Sequence, residues 1–168
     1  MRRRWLVAMA AVAALAGCGA VAYQFLPDPV TGPFTEVLPV YLQQLERARA
    51  GTIPTGIANF RAKVVVIDMA TRRVDAIQAK LPMPMRAANP SEVGTLIGMV
   101  CGAQDVGGYN DGRKAIESVC RAWVIDVADH RPVGQFTFVN PPAGLNAGRP
   151  PPRPDTQLVD YLKELRMR

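Results

Sequence analysis

The sequence predicts an α+β fold: an antiparallel sheet of about five strands with an N-terminal and a C-terminal helix packed on it, after an N-terminal signal or anchor helix. Three observations predict it. Apolar residues recur at helical spacing near residues 38–45 and 158–165. Between them the pattern changes to short β-branched runs broken by Gly, Pro, Asn and Asp. Ahead of both stands an apolar stretch behind three arginines.

The chain has 168 residues and a formal charge of +6. Three arginines and no acid lie in residues 1–17, which leaves 17 basic and 14 acidic residues for the rest. That balance, with no Lys/Arg-rich run beyond residue 4, argues against a nucleic-acid partner. The division read from the sequence is a signal or anchor over 1–26, a Pro-rich spacer over 27–34 and one domain over 35–168.

Met1-Arg2-Arg3-Arg4 is a basic start, and Trp5–Leu26 holds Gln24 as its one strongly polar side chain. Inside that run lies Leu15-Ala16-Gly17-Cys18. The segment resembles bacterial lipoprotein precursors, whose lipobox is an aliphatic residue, two small residues and Cys. The resemblance covers residues 1–18 and implies a diacylglyceryl thioether on Cys18 with cleavage before it. In a two-membrane envelope, Gly19 in place of a retention Asp implies the outer membrane. The apolar run continues past Cys18, however. Its 22 residues would span about 33 Å as a helix, enough for a hydrocarbon core. An uncleaved anchor is therefore a second reading, and cleavage after Ala20-Val21-Ala22 a third. In both anchored readings the arginines stay inside and the domain faces the periplasm or exterior.

Pro27, Pro29 and Pro33 stiffen the spacer. Thr35 then offers an N-cap, and Leu38, Tyr41, Leu42 and Leu45 trace the apolar stripe of a helix over about 36–49. Pro39 falls in its first turn and Gly51 gives a stop. Lys63–Ala70 reads as the first strand, Thr71-Arg72-Arg73 as a turn, and the alternating Val74–Leu81 as the second arm of a hairpin. Met83–Ser91 is a loop. Glu92–Cys101, Ser118–Val127 and Gly134–Val139 supply the remaining strands. Asn140–Pro154 carries six prolines and reads as extended. Asp155 or Thr156 starts a last helix with Leu158, Val159, Leu162 and Leu165 on one face. Both helices are expected on one face of the sheet, with the other face wet.

Val66-Ile67-Asp68-Met69-Ala70 recurs as Val124-Ile125-Asp126-Val127-Ala128, each followed by a short basic turn. The pattern predicts one local structure used twice, with the Asp side chain bonding turn amides. If the two turns share one end of the sheet, Arg72, Arg73, His130 and Arg131 form a candidate cationic patch for anionic lipid or envelope polymer.

Two further cysteines remain. Asn110-Asp111-Gly112 is a turn signal, and a hairpin folded between 110 and 111 sets Cys101 and Cys120, each the tenth residue from the fold, opposite one another. In an oxidising compartment they form a disulfide closing a loop of roughly 20 residues, worth about 3 kcal/mol.

Residues able to carry chemistry are few. His130 is the one histidine and Ser91 and Ser118 the two serines; neither serine lies in a nucleophile motif. No phosphate loop or dinucleotide fingerprint is present, and no metal or cofactor is expected. The sequence favours a non-catalytic, membrane-tethered domain of the cell envelope that binds an envelope protein or polymer, or supports assembly. The alternatives are an exported carboxylate-dependent hydrolase, or a carrier of a small apolar ligand lined by Met69, Met83, Met85 and Met99.

Overall fold

The computed structural model describes residues 30–53, 63–142 and 149–164. Cys18, the lipobox and the 1–26 segment lie outside the described residues, as does Leu165. Among the described residues no helix is long and apolar enough to cross a membrane.

Helix α1 spans Leu38–Ala50 and helix α2 Asp155–Glu164. Five strands, β1 (Lys63–Asp68), β2 (Arg73–Val74), β3 (Val93–Gly108), β4 (Lys114–Asp126) and β5 (Arg131–Asn140), form one sheet in the order β2-β1-β3-β4-β5. The α+β class and the two flanking helices agree with the sequence. The sheet is mixed rather than antiparallel, because β1 and β3 pair in parallel.

The parallel pair arises where the expected second hairpin arm gives way. Only Arg73–Val74 joins the ladder; Ala76–Lys80 coils into a 3-10 turn that Asp75 starts by accepting from the Ile77 N–H. The buried residues here are Val74, Asp75, Ile77, Gln78 and Leu81, in which the apolar members keep a three-and-four spacing and not an alternation. The chain then runs along the outer edge of β1, where Arg86 bridges Val64 in parallel, and crosses to enter β3 on the other side.

Buried Gln78 stands in for a missing neighbour strand. Its Oε1 accepts from Val66 N–H at 2.9 Å, and its Nε2 donates to the carbonyls of Val64 at 3.0 Å and Ala87 at 3.2 Å. An unpaired buried backbone group costs about 1–3 kcal/mol, so this one side chain removes a substantial penalty.

The helices lie on opposite faces of the sheet, contrary to the expectation of one wet face. Leu38, Tyr41, Leu42, Leu45 and Ala48 of α1 pack with Val65, Ile67, Leu96, Trp123 and Ile125. Leu158, Val159 and Leu162 of α2 pack with Val64, Val66, Ile97, Met99, Ala122, Val124 and Phe138, joined by Ile77, Leu81 and Met85. Successive strand residues point to opposite faces, and Val64, Val65, Val66 and Ile67 are all 0% exposed, so both faces must be covered. Each such aliphatic contributes about 1.5–3 kcal/mol on burial. On the α1 side the fit is close at Gly98: a Cβ there would stand 2.7 Å from Leu45 Cδ2 and 2.8 Å from Met69 Sδ.

Element ends differ in detail. Val37, not Thr35, occupies the N-cap of α1, with Pro39 in the first turn as expected. Thr35 Oγ1 donates instead to the Gly32 carbonyl, closing a 3-10 turn whose Phe34 is 2% exposed. Phe34, read as the end of the spacer, therefore belongs to the core. Gly51 ends α1 in an extended conformation, its N–H donating to the Arg47 and Ala48 carbonyls.

Candidate functional site

The duplicated Val-Ile-Asp segment gives the same turn twice. Asp68 pairs with Arg73 and Asp126 with Arg131, each across four loop residues. Asp68 Oδ1 accepts from the N–H groups of Ala70 at 2.9 Å and Thr71 at 3.3 Å. Asp126 Oδ1 accepts from those of Ala128 at 3.0 Å and Asp129 at 3.3 Å. The fourth loop residue has positive φ in both, 57° at Arg72 and 51° at His130. A non-glycine residue is uncommon there; the carboxylate bonds that close the turn hold it.

These two turns do not build the cationic patch. β1 runs parallel to β3 and β4 runs antiparallel to it, so the turns leave opposite ends of the sheet. Arg72 and Arg73 stand at the end marked by Met99, and His130 and Arg131 at the end marked by Thr95. The same geometry separates Asp68 from Asp126, so these two cannot act as a carboxylate pair on one substrate.

His130 is engaged locally: its Nδ1 lies 3.0 Å from Gln44 Nε2, across a groove of about 560 Å3 between α1 and the β4–β5 turn. Ser91 Oγ donates to Asn89 Oδ1 at 2.6 Å, and Ser118 is buried within β4. Among the described residues no group of three His, Cys, Asp or Glu side chains could hold a metal ion. The methionines do not converge: Met69 lies in the α1-side core, Met85 and Met99 in the α2-side core, and Met83 is 76% exposed.

A set of charges missed in the sequence closes the molecule at the start of α2. Asp75, whose side chain is 2% exposed, accepts from Arg153 Nη2 at 3.1 and 2.9 Å. Arg153 Nε reaches Asp155 at 3.1 Å, and Lys80 reaches the same carboxylate at 2.7 Å. Burial works against the Arg153 charge, but the Asp75 and Asp155 carboxylates outweigh it and hold its pKa above the ordinary arginine value. The Asp75–Arg153 pair fastens the proline-rich connection to the sheet edge, beside an open depression of about 450 Å3 that Asp68, Arg73 and Ala76 also line.

The cysteine reading holds. Cys101 and Cys120 are directly opposed in the β3–β4 ladder and joined by a disulfide, with Cα atoms 4.1 Å apart. Their place in the architecture is informative. β1 accompanies β3 only to Met99, and β5 accompanies β4 only from Ser118 onward. Beyond these points β3 and β4 continue as a two-stranded arm paired down to Gly108–Lys114, its β3 half exposed and its β4 half, Ala115–Glu117, half-buried. The bond sits at the root of this arm.

An isolated two-stranded ribbon is marginal in water, and this one carries several local supports. Val106 bulges out between Asp105 and Gly107, and Gly107 takes φ 134°. Asp105 accepts from the Gly107 N–H at 3.1 Å and pairs with Lys114 at 3.1 Å; these two partners hold its carboxyl below the usual aspartate range. At the tip, Gly112 turns with φ 81° and donates its N–H to the Tyr109 carbonyl. The Arg113 guanidinium lies 5.8 Å from the Tyr109 ring centre and bonds Asp111 at 2.6 Å, which lowers the Asp111 pKa. Aromatic and arginine side chains of this kind are enriched among residues that dominate protein contacts.

The sequence showed the turn and the bridge but not the arm's length, because Gly102–Glu117 lacks the apolar alternation that marks a strand on a core. Compared with protein-family models, with curated proteins and with solved structures, the chain matches none.

Proposed function

We propose that the protein is a membrane-tethered lipoprotein of the cell envelope, its domain facing the periplasm or exterior. There it serves a non-catalytic binding role through the β3–β4 arm. The observation that carries this reading is the arm itself: residues 104–117 serve neither core, yet they are stapled, bulged and ordered at the tip. A cross-strand disulfide suits an oxidising compartment, as export through the lipobox-like segment around Cys18 requires. Val30, the first described residue, lines a cleft with Arg86, Ala87 and Ala88, beside the start of β1. The arm leaves the opposite end of the sheet, and so would point away from the tether.

Two measurements test the reading. Intact mass of the chain purified from membranes should show a diacylglyceryl adduct on a species starting at Cys18, with a gain of about two daltons on reduction. A full-length unmodified mass would replace the lipid with a helical anchor, and a soluble, unlipidated species would end the tether reading. Replacing residues 104–117 by a two-residue turn should leave the domain folded and abolish its specific crosslink to an envelope partner. Retention of that crosslink would remove the arm from the function.

A further inference from the structure

Resting on that reading of the arm, we propose that the outer edge of β3 at Cys101–Ala103 accepts an added strand: an extended segment of another protein, with an apolar side chain and, two residues along, a carboxylate.

The edge is open by construction. The Met99 carbonyl takes the last bond from that side, from Met69 N–H, as the chain turns away after Asp68. Backbone groups alternate along a strand, so Cys101 and Ala103 turn their N–H and C=O to the same edge. The close Cα approach of Cys101 and Cys120 agrees, since it marks a pair whose backbone groups point away from each other. No hydrogen bond reaches the edge groups of Cys101 or Ala103 from the described residues. Exposed edges are ordinarily guarded by charge, proline or bulges. Here the guards begin only at Asp105 and the Val106 bulge, and Val100–Gln104 carries none.

A second observation lies beside it. Gly102 falls on the α1 face of the sheet, the face on which Gly98 meets Leu45. A Cβ at Gly102 would touch nothing within 4 Å. The space is an open depression of about 220 Å3 walled by Val100, Gln104, Val119 and Arg121, with room for a side chain. Strand addition uses both features: main-chain bonds supply affinity and side-chain pockets supply specificity. Val100 and Val119 favour an apolar occupant. Arg121, exposed and without an ion pair among the described residues, stands opposite Val100 and favours a carboxylate at the next position on that face.

The test uses the full chain in detergent micelles and a synthetic seven-residue peptide that alternates Thr with Val and Asp on its other face. An otherwise identical peptide with Lys for Asp is the comparison. The acidic peptide should slow amide exchange at Cys101 and Ala103 at least tenfold and bind about tenfold tighter than the Lys peptide. Ala103→Pro removes an edge donor that points away from β4, a place where proline is tolerated, and should abolish binding. Gly102→Val should intrude into the floor of the depression and weaken binding at least tenfold without disturbing the fold. Arg121→Gln should erase the preference for Asp. Ile116→Pro, on the outer edge of β4, should bind normally.

Unchanged binding in Ala103→Pro, or equal binding of the two peptides, overturns the proposal. So does slow exchange at Cys101 and Ala103 in the free chain, which would assign the edge to a segment of the chain itself, or to a second copy if the slowing depends on concentration. If the shortened arm loses its envelope crosslink while Gly102→Val and Ala103→Pro keep it, the arm stands as the contact element and strand addition falls. If all three keep it, the arm reading falls as well.

Discussion

The body and the arm use the same two strands and are stabilised by different means. From Val93 to Met99, β3 lies between two apolar cores, with Leu96 and Ile97 fully buried on opposite faces. Past Cys101 the strand meets solvent on both faces, and local devices replace burial: a covalent bridge, a bulge, an ion pair and a glycine turn. Burial acts cooperatively across the whole domain, whereas each support in the arm acts over a few residues. The arm can therefore vary in sequence at its tip with little effect on the body's stability, which suits an element selected for contact.

The largest effect should come from opening the body. Leu45→Ala removes a fully buried side chain from the α1-side core and should cost roughly 3–4 kcal/mol in denaturant unfolding. Loss below about 1 kcal/mol would mean that α1 is loosely held. Next comes the staple: Cys101→Ala with Cys120→Ala should cost about 3 kcal/mol of chain entropy. Amide exchange should rise most over residues 102–119, and a uniform rise would erase the distinction between arm and body.

Asp75→Asn should cost about 2 kcal/mol, because Arg153 keeps its charge and loses its main partner. The loss should appear as faster exchange in α2, read by mass spectrometry. Gly98→Ala should cost about 1 kcal/mol, since the new methyl must displace Leu45 and Met69. Gly102→Ala in the same strand should be neutral, which makes the pair a direct comparison of the two regions.

The smallest effect is electrostatic. The Asp105 pKa is lowered by the Gly107 N–H and by Lys114, so its ionised form supports the arm. That support is complete above the ordinary aspartate pKa and is lost as pH falls through the lowered value. Arm amides should lose protection in that acid range while core amides hold, and Asp105→Asn should flatten the dependence. An unchanged pH profile in the variant would assign the support to the bulge alone.

What the sequence revealed follows from the range of the interaction involved. The Cys101–Cys120 register was legible from the turn signal although the turn centres on Asp111, because the Val106 bulge shifts the ladder by one residue and brings the two cysteines level. The two Asp-started turns were legible because their bonds span three residues or fewer. The parallel pairing of β1 with β3 was not legible, since it depends on Gln78 replacing a neighbour strand from 12 residues away. The opposite placement of the helices had a readable sign in the unbroken Val64–Ile67 run, which leaves no face of that strand for water. The arm stayed hidden because hydrophobic periodicity reports only strands that serve a core, and the Asp75–Arg153 clamp because it joins residues 78 apart.

The bridge at the root of the arm also sets how the molecule responds to load. A pull on the Tyr109–Arg113 tip loads β3 and β4 together, because the tip joins them. The bond at Cys101–Cys120, a pair that packs on the α2-side core, ties the two strands together at the root, so neither can slide from the body without the other. In the reduced chain nothing covalent makes that tie. The oxidised domain should thus hold a higher load than the reduced one in a single-molecule trace.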